Sequence, residues 1–168
     1  MKNLINKIRN TFTDAMDSFI DSQFKYFTVE ELTHSDTAKK CNIENKPTEK
    51  QKISLRLLIL EVLDPLREAY GKPIFVNSGF RSEELNIKVG GALHSHHRCQ
   101  NGYAAADIDT RLGKRENIKL FNLIKALELP TCELILEKGG EWIHVSYNPN
   151  DIRRKSYKGH DFNGNVME

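Results

Sequence analysis

The sequence predicts an α+β domain, with N-terminal helices packed on a small antiparallel sheet. Three observations predict it. Apolar residues recur at helical spacing through the first 70 positions, most clearly Ile53, Leu57, Leu60, Leu63, Leu66 and Tyr70. Beyond them the apolar stretches shorten and alternate, as in AAADID (104–109) and EWIHVSY (141–147). Paired glycines, Gly90-Gly91 and Gly139-Gly140, mark turns between these stretches.

Each element has its own signal. Leu4, Ile5, Ile8, Phe12, Ala15 and Phe19 form an apolar stripe, so 3–21 is expected to be an amphipathic helix, an arm appended as 1–22. TVEE (28–31) fits a capping box and opens a short helix. Residues 33–47 are polar, end at Pro47, and are expected to be mostly loop. TEKQ (48–51) is a second capping box before the long apolar stripe. Pro65 removes one ladder hydrogen bond and bends that helix, and Gly71 closes it. PIFVN (73–77) is a strand, and Ser82 caps a short helix over 83–89. AAADID sets Ala104, Ala106 and Ile108 on one face and Asp107 and Asp109 on the other. A helix over 115–128 follows, then a hairpin of 133–137 and 141–147 around Gly139-Gly140. The main domain is expected over 23–150, and the basic polar stretch 151–168 as a loose tail.

Composition narrows the function. With 168 residues and 39% hydrophobic content, one domain with a real core is expected. A net charge of +2 and a pI near 8.4 give no case for a nucleic-acid partner. Three cysteines without a CxxC pair argue against a disulfide framework. No apolar run is long enough for a membrane span, and the first residues lack the apolar core of a signal peptide. The protein is therefore expected to be made in a cytoplasm without its own export signal.

SGFRSEELNIKVGGALHSHHRCQNGYAAADID (78–109) places His94, His96 and His97 before Asp107. Zinc takes imidazole nitrogen and carboxylate oxygen, with three protein ligands when the site is catalytic. His97, Asp107 and His144 offer that set from a loop and two strands. Alternation puts Trp142, His144 and Ser146 on one strand face.

These motifs resemble the zinc D-alanyl-D-alanine carboxypeptidases, a family of peptidoglycan peptidases that includes vancomycin-resistance dipeptidases and some phage endolysins. The likeness rests on Ser95-His96-His97, on Gly102 to Asp107 (G-x-A-A-D) and on Trp142-Ile143-His144 (W-x-H). It rests also on the upstream SGFRS (78–82), Glu84-Leu85-Asn86 and Val89-Gly90-Gly91. It runs from about Phe27 to Tyr147. The spacing from His97 to Asp107 is longer than the family pattern, which leaves His96 as the alternative to His97; the S-x-H register favours His97.

The resemblance implies the fold of the DD-peptidases and Hedgehog, a zinc cofactor and amide hydrolysis in a peptidoglycan stem peptide. It also implies a glutamate near the last histidine, to move a proton between water and leaving amine. Glu141 stands in Glu-x-x-His register. Pairing 137 with 142 and 135 with 144 across the glycine turn would put Glu137 on the face of His144, and this favours Glu137. A bulge at the strand entry would favour Glu141. Arg81 is expected to hold a substrate carbonyl or the developing oxyanion, and Ser95 to bind substrate by analogy. Trp142 packs beside the metal or lines the substrate groove. Asp109 and the thiol of Cys99 are set aside as ligands. Action on the cell wall follows, as a phage lysin or a virion component. The alternatives are a non-catalytic peptidoglycan- or zinc-binding module and a structural virion protein. Oligomeric state and the bond cut stay open.

Overall fold

The computed structural model describes residues 15–153 and the backbone of 155–158. Helix α1 covers 15–21; the part of the arm helix expected before it lies outside the described residues. Then come α2 (Val29–Thr33), α3 (Asp36–Cys41), α4 (Glu49–Leu58), a π-helical stretch (Ile59–Leu63) and α5 (Asp64–Tyr70). Strand β1 (Phe75–Ser78), α6 (Glu83–Lys88), a 3-10 turn (His96–Arg98) and β2 (Ala104–Asp109) follow. The described elements end with α7 (Lys114–Ala126), β3 (Glu133–Glu137), β4 (Trp142–Tyr147) and β5 (Lys155–Lys158).

Local chemistry explains most boundaries. Thr48 and Gln51 form the reciprocal capping box of α4, and Thr28 caps α2 by accepting the Glu31 N–H. Gly71 ends α5 in the left-handed region at φ 71°. Helix α3 occupies a segment expected to be loop. Ser35 accepts the Ala38 N–H at its start, and Asn42 ends it in the left-handed region; a cap and a left-handed stop suffice for six residues.

The helix 49–70 does not merely bend at Pro65. The Asp64 N–H reaches back to the Ile59 carbonyl, a π-type turn just before the proline that lacks its own N–H. The buried face is also rotated from the expected stripe. Leu55, Leu58, Ile59, Val62, Leu63 and Leu66 are buried, whereas Ile53 is 53% exposed and Leu57 only borders the core. This helix is apolar on more than one side, so periodicity alone does not choose the face.

The sheet order is β1-β2-β4-β3-β5. The first four strands are antiparallel, as expected. The fifth corrects the expectation of a loose tail: Lys155–Lys158 pairs parallel to β3 at the edge. One sheet face, with Ala104, Ala106, Ile108, Leu134, Leu136, Ile143 and Val145, packs in the core with the α4–α5 helix and α7. The opposite face carries Asp107, His144, Ser146 and the odd-numbered residues of β3, and the site lies there. Among the described residues no helix is long and apolar enough to cross a membrane.

Candidate metal centre

Asp107 and His144 face each other directly across the β2–β4 ladder. Antiparallel neighbours on one face bring side chains close, so the register delivers this pair. His144 Nδ1 lies 2.9 Å from Asp107 Oδ1. His97 comes from the 3-10 turn, with Nε2 3.2 Å from the same oxygen and 3.2 Å from His144 Nδ1. Around a tetrahedral ion with bonds of about 2.0–2.1 Å, ligand atoms stand about 3.3 Å apart. The three separations fit that geometry.

The donor chemistry points the same way. His97 Nδ1 is 2.7 Å from the Gly79 carbonyl, which can only accept, so the ring proton sits there. His97 Nε2 then presents a bare lone pair to a carboxylate oxygen and a second imidazole nitrogen. With His144 Nδ1 also unprotonated, three acceptors would turn on one point, a donor set that suits a cation. Burial holds the His97 pKa below its ordinary value, against the pull of Asp107, so the ring stays neutral as a ligand must. Burial works against ionisation of Asp107, but attraction to and hydrogen bonds from the adjoining His97 and His144 rings, in their protonated forms, outweigh it and hold the carboxyl well below the usual range.

SGFRS (78–82) is the cradle of this centre. The Gly79 carbonyl fixes His97 Nδ1, and the Arg81 N–H donates to the His97 carbonyl at 2.8 Å. Arg81 Nη2 donates to Asp107 Oδ2 at 2.8 Å and its Nε to Ser78 Oγ at 2.9 Å. Arg81 thus grips the carboxylate oxygen turned away from the histidines. Gly79 is glycine for a steric reason, because an added Cβ would stand 2.1 Å from the Leu32 carbonyl oxygen.

The remaining candidates are spread around this centre. Ser95 caps the 3-10 turn by accepting the His97 N–H at 3.3 Å. Strand pairing sets Ile135 against His144 and Glu137 against Trp142, so Glu137 and Trp142 share the face of His144. The connecting turn spans four residues, 138–141, rather than two, but the register is the expected one. Glu141 sits in that turn with Oε1 3.6 Å from Lys114 Nζ on α7, the helix on the other side of the sheet. Lys138 Nζ lies 5.0 Å over the Trp142 ring. Asp109 is engaged by the Asn77 side chain and the Arg111 N–H. Cys99, a free cysteine just after the 3-10 turn, is buried in the core, and burial pushes its thiol up to about 12. Ser78 and Arg81 also line a groove of about 780 Å³, bounded across from them by Glu30, Glu31 and Asp36.

His96 is not among the converging His97, Asp107 and His144, and instead joins a second group with Glu133 and His144. Sequence reasoning missed Glu133. The register that puts Glu137 on the site face puts Glu133 there as well, two positions beyond Ile135.

The family model described as peptidase M15 matches residues 25–146. The chain belongs to the peptidase M15 family. The match spans the cradle, both histidine segments and β2 to β4, so membership covers the whole site. It makes the chain a metallopeptidase by family, and M15 peptidases are typically zinc dependent. A comparison with curated proteins gives no match.

Proposed function

We propose that this M15 peptidase is a zinc enzyme that hydrolyses an amide bond of a peptidoglycan stem peptide, as a D-Ala-D-Ala carboxypeptidase or a stem-peptide endopeptidase. The observation that carries this reading is the convergence of His97 Nε2, His144 Nδ1 and Asp107 Oδ1 within 3.2 Å of one another. Zinc on these atoms would supply Lewis acidity to the scissile carbonyl and acidity to the attacking water.

This chain's own residues do the rest. Arg81 holds Asp107 by Oδ2, which leaves Oδ1 for the ion. At the edge of the groove, the Arg81 guanidinium also puts positive charge where the carbonyl oxygen becomes anionic. Glu137 takes the proton of the attacking water and hands it to the leaving amine. Its place on the open face supports it over Glu141, whose carboxylate is drawn toward Lys114. Trp142 forms an apolar wall next to His144, and Ser95 sets the turn that aims His97.

The test is digestion of purified peptidoglycan by the zinc-loaded protein, with products identified by mass spectrometry. Loss of one terminal alanine identifies a carboxypeptidase; paired stem fragments identify an endopeptidase. Chelation and His97→Ala should each abolish turnover. Glu137→Gln should lower kcat by about 10²- to 10⁴-fold with zinc retained, while Glu141→Gln should stay near wild type. Full zinc loading with no turnover on any stem peptide would replace this reading by a non-catalytic binding module.

A further inference from the structure

The zinc reading leaves His96, Glu133 and Tyr103 without a task, yet they are packed together beside the metal centre. His96 Nδ1 stands 3.0 Å from Ser146 Oγ and 3.3 Å from Glu133 Oε2. Ser146 Oγ also accepts the Glu133 backbone N–H at 3.1 Å. The His96 ring stacks on Tyr103, with centroids 4.1 Å apart and planes 11° from parallel. Tyr103 in turn donates its hydroxyl to Asp151 at 2.6 Å. Tyr103 belongs to the lengthened loop between His97 and Asp107, so that extra length supplies the wall behind His96.

The far nitrogen of His144 is what this group faces. Nδ1 is turned to Asp107 and His97, and with zinc on that nitrogen the ring would carry its proton on Nε2. Glu133 Oε2 is the carboxylate oxygen at 3.9 Å from that nitrogen. That is beyond hydrogen-bond length, but the Glu133 side chain is 34% exposed and has room to close the gap. His97 has the equivalent support from the Gly79 carbonyl. Metal-bound imidazoles ordinarily donate their other N–H to such a partner, which fixes the ring and raises its basicity.

We propose that Glu133 is the positioning residue of the metal ligand His144: its carboxylate takes the His144 Nε2–H, and His96, braced by Tyr103 and Ser146, holds that carboxylate. This rests on the metal centre proposed above. The same three side chains do not serve as a second ion seat, because His144 would then have to surrender its last proton.

The experiment uses the full chain and zinc itself. Zinc affinity is measured by competition with a chromophoric chelator for wild type, Glu133→Ala, Glu133→Gln and His96→Ala. Long-range proton–nitrogen NMR of the imidazoles reports the His144 Nε2–H in the loaded proteins. One zinc per wild-type chain is expected. Glu133→Ala should bind it about 10- to 100-fold more weakly, with the His144 Nε2–H signal lost to exchange with water. Glu133→Gln keeps an acceptor without the charge and should fall between, and His96→Ala should weaken binding in the same direction. Apo melting curves report folding; if Glu133→Ala melts low, Glu133→Gln carries the comparison. Unchanged affinity with an unchanged Nε2–H signal would overturn the proposal. So would two zinc ions per wild-type chain with one lost in Glu133→Ala. A wild type that binds no zinc overturns the metal centre itself, and it shows before any variant is compared.

Discussion

Gly79 meets two demands at one position. Its α-carbon passes so close to Leu32 that a methyl group would stand 2.1 Å from the carbonyl oxygen, and its own carbonyl holds His97. Gly79→Ala must move backbone rather than a flexible side chain. The expected loss is about 1–3 kcal/mol of stability, with weaker zinc binding, because the Gly79 carbonyl moves with the displaced backbone. Denaturant unfolding and chelator competition on the same samples check both. The thiols give a second expectation at this scale. Burial raises Cys99 to about 12 and Cys132 to about 11. At pH 8 both are protonated and covered, while Cys41 is exposed. A thiol-reactive dye should titrate one fast cysteine per native chain and three after unfolding.

At the scale of elements, the clearest features in the sequence were those with local causes. The Thr48 capping box, the Ser82 cap, the Gly71 stop and the alternation of AAADID each act within a few residues and occur where expected. The pairing of Glu137 with Trp142 was legible because hairpin register follows from the turn position and strand parity. Features set by distant partners were not. The buried face of the 49–70 helix depends on what packs against it, and β5 depends on an edge of β3 formed about twenty residues earlier. The Glu133 group needed the position of the 96–103 loop, which no spacing reveals. Asp64 is another such feature. Its carboxylate accepts the backbone N–H groups of Lys25, Tyr26 and Phe27, and so fixes the chain entering α2. Asp64→Ala leaves three donors to find water and should cost about 2–4 kcal/mol. Thr48→Ala, which removes one cap, should cost about 1 kcal/mol. Equilibrium unfolding of the two variants in parallel tests that ranking.

At the scale of the molecule, the question is whether 1–22 is an arm separate from a 23–150 domain, as we propose, or a part of it. The family match begins at 25, yet α1 is tied to the body. Arg56 on α4, only 7% exposed, binds Asp21 through Nε at 2.8 Å and Asp17 through Nη1 at 2.9 Å. Deleting 1–22 removes both carboxylates, but it also removes cover from the guanidinium, which water can then solvate. The cost should therefore lie between the roughly 1 kcal/mol of an exposed ion pair and the about 3–5 kcal/mol of a buried one left half-broken. Asp17→Asn with Asp21→Asn in the full chain should cost no more than the deletion, since α1 can lift away rather than leave Arg56 buried without a counter-charge. Neither change touches the cradle, the two ligand strands or the turn of His97, so zinc affinity should be unchanged in both. Unfolding curves and zinc titrations of the deletion and the double variant decide the matter. Zinc binding that falls with the arm would make the arm part of the peptidase domain, whereas a stability loss alone would leave it an attached support.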